Sequence, residues 1–345
     1  MAEEGHYFVI HAARQSGKTT LLQEMTRKLA AQENFYALYC SLEAIQEFSD
    51  PEKGLPLIVQ KIESSIKWRK LPEGFAKNAN YGNTGGVLKD SLIDYCSSLD
   101  KPLIIFFDEA DCLSEGTLIT FLRQLREGFI NRADIPFVRS VALVGMRNIR
   151  DYKAQIRPDS KTLGSASPFN IVKKTFNLPY FTHNEILELY SQHLKDTGQI
   201  FEPLAVNYIC EQTDGQPWLV NAIACECVED LLKKDYSKPI TKEMAEIAIQ
   251  KMILDRPAHF DSLLERLKEP RIRSVIEPLV TGGETVPVSS DDYLYARDLG
   301  LIKEEKTGAV PANPIYAEII VRFLNEDSQK LIEKKHADYV IPHRN

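Results

Sequence analysis

The pattern of apolar and polar positions gives the two halves of the chain different predicted structures. In the first half, short apolar runs alternate with longer segments of helical period, as expected for strand–helix–strand units in a parallel sheet. The predicted strands cover residues 7–11, 35–40, 103–107, 137–144 and 174–178, and the predicted helices cover 18–31, 53–70, 86–99 and 115–129. Because such crossovers are right-handed, we expect a mainly parallel α/β sheet covered by helices on both faces.

The second half is predicted to be mostly helical. Thr182-x-x-Glu185 forms a capping box before an apolar segment of helical period, and Pro203 and Pro217 each stand at the start of a further helix. Beyond residue 256, the pattern predicts three short helices, two short strands near 301–303 and 309–311, and a last helix over 315–324, which is the element order of a winged helix. We therefore expect three domains: an α/β domain over residues 1–180, an α-helical bundle over 181–256 and a winged-helix domain over 257–345.

A phosphate-binding motif lies between the first predicted strand and the first predicted helix. Residues 12–19 match G-x-x-x-x-G-K-[ST] at each fixed position except the first, where Ala12 replaces Gly. Gly17 lets the backbone close around a triphosphate, Lys18 supplies charge for the β- and γ-phosphates, and Thr19 supplies a hydroxyl for Mg²⁺. A chance turn is the alternative, but the position between strand and helix favours the P-loop of an NTPase. The predicted nucleotide-binding residues are Ala13, Arg14, Gln15, Ser16, Gly17, Lys18, Thr19 and Thr20.

Two adjacent carboxylates follow the apolar run at 103–107. A buried strand that ends in such a pair is the Walker B arrangement, in which Asp108 joins Thr19 in holding Mg²⁺ and Glu109 orients or deprotonates the attacking water. Asp111, two residues further on, would tune the metal shell or cap the next helix. Helix capping is also the alternative for Asp108.

Arginines supply the remaining catalytic candidates. Arg147 follows the fourth predicted strand and would detect the γ-phosphate or neutralise its charge in the transition state, together with Lys18 and Glu109. A surface arginine is the alternative, and Asn148 and Arg150 are weaker candidates. If the protein oligomerises, the candidates for an arginine that acts on a neighbouring subunit are Arg123, Arg126 and Arg132.

Charge argues against strong non-specific nucleic-acid binding by the whole chain and leaves a local basic patch open. The chain has 42 basic and 49 acidic residues, a net charge of −7, whereas a protein that coats nucleic acid non-specifically is basic. The predicted third helix of the winged helix, 290–298, carries three Asp and one Arg, which suits a lid or protein contact better than a DNA backbone. A local cluster of basic residues keeps DNA contact as an alternative: Arg266, Lys268, Arg271 and Arg273.

Targeting and redox signals predict a cytoplasmic location. The longest candidate core run, residues 102–107, is too short to span a bilayer, and the acidic N-terminus lacks the basic start of a signal peptide. The six cysteines lack the spacing of a metal site, so we expect reduced thiols. No membrane partner is expected.

Four motifs in one order carry a family resemblance. They are Arg14-Gln15-x-Gly17-Lys18-Thr19, Asp108-Glu109-x-Asp111, Gly145-x-Arg147 and Gly215-Gln216-Pro217-Trp218. Together they resemble the STAND branch of the AAA+-related ATPases, especially the archaeal-type ATPases, in which an ATPase core precedes a helical bundle and a winged helix. The resemblance covers nearly the whole chain and implies that Gly215 and Pro217 pack against bound nucleotide. A loop that ends one helix and starts the next is the alternative for these two residues.

The sequence departs from this family pattern in three places. Asn313-Pro314 stands where relatives place a nucleotide-state sensor, but the Met-His-Asp triplet of some relatives is missing. Six residues precede Tyr7, so base recognition is expected to be incomplete or supplied by the helical domain. The segment after Leu324 is too short for an effector domain, so we expect any effector on another chain.

The motifs and the resemblance together predict a switch ATPase. ATP or ADP with Mg²⁺ would bind, and hydrolysis or exchange would change the arrangement of the domains and so control a partner or effector protein, with a homo-oligomer as a further expectation. Two alternatives stay open. One is a DNA-dependent ATPase, similar to origin-binding initiators, that contacts DNA through its winged helix; the other is a nucleotide-stabilised scaffold that does not hydrolyse ATP.

Overall fold

The computed structural model describes residues 1–77, 79–146, 170–283, 286–306 and 308–339. It divides into two compact units. The first unit comprises Met1–Ala12 and Gly17–Leu178, and the second comprises Ala13–Ser16 and Pro179–Asn345.

A five-stranded parallel sheet forms the centre of the first unit. Its strands are β1 (Tyr7–His11), β2 (Tyr36–Ser41), β3 (Leu103–Asp108), β4 (Ser140–Gly145) and β5 (Val172–Asn177), in the spatial order β2-β3-β4-β1-β5. Every neighbouring pair is parallel, which confirms the predicted α/β class. β4 begins three residues later than predicted, because its pairing with β3 starts at Ser140, opposite Ile104.

Four helices cover the two faces of this sheet: α1 (Lys18–Ala31), α2 (Pro51–Trp68), α3 (Val87–Ser98) and α4 (Glu115–Asn131). Because side chains alternate along a strand, each strand contributes to two cores. Val9 and Ile105 pack in the core that holds the apolar residues of α2, α3 and α4. Phe8 and Phe106 pack in the other core with Leu22 of α1. The near-continuous apolar strands therefore reflect burial on both faces.

The second unit contains mainly helices. They are α5 (His183–Thr197), α6 (Pro203–Thr213), α7 (Pro217–Cys225), α8 (Lys242–Asp255), α9 (Ala258–Leu267), α10 (Pro270–Thr281), α11 (Asp291–Asp298) and α12 (Pro314–Tyr339). An antiparallel pair, β6 (Ile302–Glu305) and β7 (Gly308–Pro311), precedes α12. The pattern did not single out α8, and α12 extends well beyond the predicted end at 324.

The capping box predicted at the start of α5 is present. Thr182 Oγ1 accepts a hydrogen bond from the Glu185 backbone N–H at 3.3 Å, and the Thr182 backbone N–H donates to Glu185 Oε2 at 2.7 Å. These bonds satisfy N–H groups that have no partner within the helix. Within the described parts of the chain, no helix is long and apolar enough to cross a membrane.

Candidate functional site

The strand order brings three predicted motifs to one edge of the first unit's sheet. β1 pairs with β4 up to His11 opposite Gly145, and β4 pairs with β3 up to Leu143 opposite Phe107. The carboxyl ends of these neighbouring strands therefore meet, which is where ligands bind in open parallel sheets. The Ala12 backbone N–H extends the alignment by donating to the Gly145 carbonyl at 3.2 Å.

The start of α1 places Lys18 inside this edge. Gly17 precedes the helix with φ +85°, a left-handed conformation that glycine adopts without steric cost. The Lys18 side chain is only 6% exposed, and its Nζ donates to the Ala12 carbonyl oxygen at 3.0 Å. A buried ammonium group needs such a partner, so the loop carbonyl holds the cation next to the carboxylates that follow β3.

Asp108 is the centre of the polar contacts at this edge. Its carboxylate is 1% exposed, and Oδ2 accepts hydrogen bonds from Thr19 Oγ1 at 2.6 Å and from Tyr39 Oη at 3.0 Å. Its Oδ1 accepts from the Glu109 backbone N–H at 3.0 Å. The structure thus brings together the two predicted Mg²⁺ ligands, Thr19 and Asp108. Hydroxyl and carboxylate oxygens are the donors that Mg²⁺ prefers, so this pair fits the ion.

Glu109 has an unusual backbone and a perturbed carboxyl group. Its φ of +52° and ψ of 39° lie in the left-handed region, which a glutamate rarely adopts and which is common at functional sites. Burial raises the pKa of Glu109 above its ordinary value of 4.5, and the nearby charge of Asp111 raises that pKa further, while Lys18 opposes both. A carboxyl group with a raised pKa is a stronger base, which suits the predicted role in activating water.

Asp111 links the segment after β3 to the end of β4. Its Oδ2 accepts a hydrogen bond from the Met146 backbone N–H at 2.8 Å. A Cβ atom added at Gly145 would collide with the same carboxylate, so glycine is required there by close approach. Asp111 therefore positions the backbone that leads to the predicted sensor, a role that the sequence did not suggest.

Tyr39 is a second residue that sequence reasoning missed. It lies in β2 opposite Phe106 of β3, and its hydroxyl reaches Asp108 on the neighbouring strand. Burial, followed by the charge of Asp108, raises the pKa of Tyr39, so the phenol stays protonated and donates to the carboxylate. The available signal was its place in a strand next to a carboxylate-bearing strand, which becomes informative only once the strand order is known.

The other predicted loop residues occupy different places. Ala13, Arg14, Gln15 and Ser16 belong to the second unit, where Ser16 Oγ donates to the Ala13 carbonyl at 2.8 Å. Thr20 is exposed on α1. Arg147, Asn148 and Arg150 lie outside the described residues.

Gly215 and Pro217 lie in the second unit, between α6 and α7. Gly215 has φ +75°, and a Cβ atom there would collide with the carbonyl oxygen of Phe181, whose own N–H donates to the Gly215 carbonyl at 2.9 Å. Pro217 is the first residue of α7, and Gln216 caps this helix by accepting from the Leu219 N–H at 2.6 Å. Local packing therefore accounts for both residues, and their contact with nucleotide stays a prediction.

Asn313 and Arg132 also have structural partners. Asn313 Oδ1 caps α12 by accepting from the Tyr316 N–H at 2.9 Å. Arg132 donates from Nη1 to the carbonyl oxygen of Gly5 at 2.8 Å, and its guanidinium lies 3.9 Å from the ring centroid of Phe129. Each side chain thus has a role within its own unit.

Comparison with known proteins identifies the family. A family model described as an AAA-like domain matches residues 1–322. The chain belongs to the AAA-like domain family. No curated protein sequence is similar enough to match it.

One solved structure supports the fold of this AAA-like domain protein, and two others are more distantly similar. A Walker-type ATPase of Pyrococcus abyssi is 17% identical with a TM-score of 0.58, and the match covers 92% of each chain. The ORC2 protein of Aeropyrum pernix is 15% identical with a TM-score of 0.47, covering 93% of this chain and 89% of that one. The RuvB Holliday junction branch migration motor of Thermotoga maritima is 15% identical with a TM-score of 0.45, covering 91% and 86%. At 17% identity, the likeness to the first structure shows the fold alone, which is that of a Walker-type ATPase. This fold confirms the predicted P-loop NTPase class.

Proposed function

We propose that this AAA-like domain protein is a STAND-type switch that binds ATP or ADP with Mg²⁺, hydrolyses ATP slowly and controls a partner protein on another chain. The observation that carries the proposal is the 2.6 Å contact between Thr19 Oγ1 and Asp108 Oδ2, next to buried Lys18. This is the combination of oxygen ligands and a cation that a Mg²⁺-triphosphate requires.

Each residue of the first unit's site has a role in this proposal. Lys18 would bind the β- and γ-phosphates, and Thr19 and Asp108 would hold Mg²⁺, which supplies charge neutralisation for the phosphates. Glu109 would accept a proton from the attacking water. Arg147, outside the described residues, would neutralise charge on the γ-phosphate.

The second unit would relay the nucleotide state. We assign residues 181–256 to a helical bundle and 257–345 to a winged helix, on the element order of three helices (α9, α10 and α11), a two-stranded wing (β6 and β7) and a final helix. Gly215 and Pro217 would sense the nucleotide from the helical bundle. ATP and ADP would then favour different domain arrangements through their different contacts with the site.

Charge pairing favours a protein partner over duplex DNA on the winged helix. The four residues of its basic cluster all form ion pairs: Arg266 with Glu269, Lys268 with Glu265, Arg271 with Asp292 and Arg273 with Glu277. α11, the helix that would enter the groove, begins with Asp291 and Asp292. A cation that is already paired within the protein releases fewer DNA counterions on binding, so the gain in affinity for DNA is smaller. This surface therefore suits a protein contact better.

Lys18→Ala tests nucleotide binding. Removal of a charged hydrogen-bond donor from the phosphate site is expected to weaken ATP binding by roughly 10- to 150-fold, measured by titration of a fluorescent ATP analogue. The matched control is Lys28→Ala on the same helix, whose side chain is 74% exposed and paired with Glu24. Equal affinity of both variants and wild type would refute the assigned site.

Glu109→Gln tests hydrolysis separately. Binding should persist while steady-state phosphate release falls by roughly 10²- to 10⁴-fold, the usual contribution of a general base. Glu47→Gln, at an exposed glutamate before α2, serves as the control. If wild type releases no phosphate but ADP strongly raises its melting temperature, the non-hydrolysing scaffold replaces the ATPase.

A further inference from the structure

The C-terminal end of α2 carries a concentrated positive charge. Between residues 61 and 77 the chain has five basic and two acidic side chains, although the whole chain has a net charge of −7. We call the five basic residues together with the tryptophan among them the α2 patch: Lys61, Lys67, Trp68, Arg69, Lys70 and Lys77. None of these residues belongs to the candidate nucleotide site.

Trp68 has the largest exposed fraction among the large hydrophobic side chains of the described chain, at 78%. Lys61 Nζ lies 5.7 Å from the centroid of its ring. A tryptophan at the last position of a helix contributes nothing to the core when it stays in solvent, and exposed aromatic rings are typical of binding surfaces. The fold therefore does not account for this residue.

A cavity of about 670 Å³ lies at the same end of the helix. Ile66 and Phe75 contribute apolar lining. Three lysines and two glutamates contribute charged lining: Lys67, Lys70, Lys77, Glu63 and Glu73. The loop that closes it is held in place, because Tyr95 Oη donates to the Pro72 carbonyl at 2.8 Å. Phe75 packs edge-on against the Tyr95 ring at 5.4 Å. These two contacts hold the loop between Lys70 and Lys77 against the first unit.

Most cations of the α2 patch form no ion pair with the residues that the structure describes. Lys67 pairs with Glu63 at 2.8 Å. Arg69, Lys70 and Lys77 form no ion pair with any part of the chain that the structure describes. The basic cluster of the second unit is different, because each of its four members is paired. A polyanion is therefore expected to bind the α2 patch more strongly than the basic cluster of the second unit.

We propose that the α2 patch binds single-stranded nucleic acid, with Trp68 stacking on a base and Arg69, Lys70 and Lys77 contacting phosphates. Cations alone would suit any anion, but a peptide of acidic residues only would have no ring to stack on the tryptophan. An unpaired strand uses both features, because its bases offer free faces for stacking and its phosphates follow at short intervals. A duplex hides those faces, so it would use the lysines alone.

The test uses the full chain and a fluorescein-labelled oligothymidylate of roughly 15 nucleotides, followed by anisotropy at low salt without ATP. Trp68→Ala should weaken binding by roughly 5- to 150-fold, the range for loss of one base-stacking contact, whereas Trp68→Phe should retain most of it. The Lys70→Ala/Lys77→Ala double variant should lower the slope of log affinity against log salt by about 1.4, the loss of two phosphate contacts to a single strand. Lys28→Ala is the matched control for an exposed lysine and should bind as wild type does.

Three results would overturn the proposal. The first is no binding by wild type at low salt, and the second is undiminished binding by both Trp68→Ala and the double lysine variant with unchanged melting temperatures. The third is displacement of the oligonucleotide by polyphosphate or polyglutamate while Trp68→Ala has no effect, which would make the patch a general anion site. Lys18→Ala should bind the oligonucleotide normally, so failure here is distinguishable from failure of the proposed ATPase.

Discussion

Three hydrogen bonds converge on Asp108 at the centre of the candidate site. Burying a carboxylate is costly unless donors surround it, and Thr19, Tyr39 and the Glu109 backbone supply those donors. These three donors surround a side chain that is only 1% exposed. At the residue scale, the site is a buried carboxyl group held in position by three hydrogen-bond donors.

Glu109 provides a pH-dependent test at this scale. Its raised pKa means that the folded protein holds the proton at higher pH than the unfolded chain. Its contribution to stability is therefore most favourable below about pH 4.5 and declines as the pH rises through the folded-state pKa. Glu109→Gln should gain unfolding free energy relative to wild type over that rise, measured by urea denaturation at a series of pH values. A constant difference between Glu109→Gln and wild type across the pH series would contradict the raised pKa.

At the element scale, a glycine at the end of β4 lets the segment that follows β3 approach it closely. β4 ends at Gly145, which leaves room for the Asp111 carboxylate, and Asp111 in turn holds the N–H of Met146. The segments after β3 and β4 are thus linked by a side chain from one to the backbone of the other. This link fixes the direction in which the chain leaves β4.

Gly145→Ala should break this link. The added Cβ atom meets the carboxylate of Asp111, so either the side chain or the strand end must move. We expect a loss of about 1–3 kcal/mol in unfolding free energy, measured by urea denaturation. Gly85→Ala is the control, because its Cβ would make an ordinary 3.6 Å contact with Asn83. Equal stability of the two variants would show that Asp111 relocates freely.

At the scale of the whole molecule, the chain forms two units with separate cores. The core of the second unit includes an aromatic group that joins three helices: Trp218 of α7, His259 of α9 and Tyr316 of α12. The rings of Trp218 and His259 are 4.2 Å apart, and His259 Nε2 hydrogen-bonds Tyr316 Oη at 2.6 Å. The polar imidazole ring of His259 can lie inside this core because it has a hydrogen-bond partner.

His259 makes the stability of this unit sensitive to acid. Burial lowers the pKa of His259 from 6.5 to about 4, so the folded protein keeps the ring neutral while the unfolded chain takes up a proton. The stability that this difference provides is complete above pH 6.5 and is lost as the pH falls towards 4, by about 3 kcal/mol in all. His259→Phe should flatten this part of the stability profile, measured by thermal unfolding between pH 7 and pH 4.5. The exposed His183→Asn serves as the control, and parallel profiles for His259→Phe and wild type would contradict the assignment.

The sequence by itself determined the elements and the local chemistry of this protein. Apolar runs located β1 and β3, and the phosphate-loop motif and the Asp108–Glu109 pair were recognisable because each depends on residues close together along the chain. The tertiary structure alone decided the strand order, and with it the contact of Thr19 with Asp108 and the roles of Tyr39 and Asp111. These contacts join residues between 35 and 89 positions apart. They depend on the order of the strands in the sheet, which is set by packing between segments far apart along the chain.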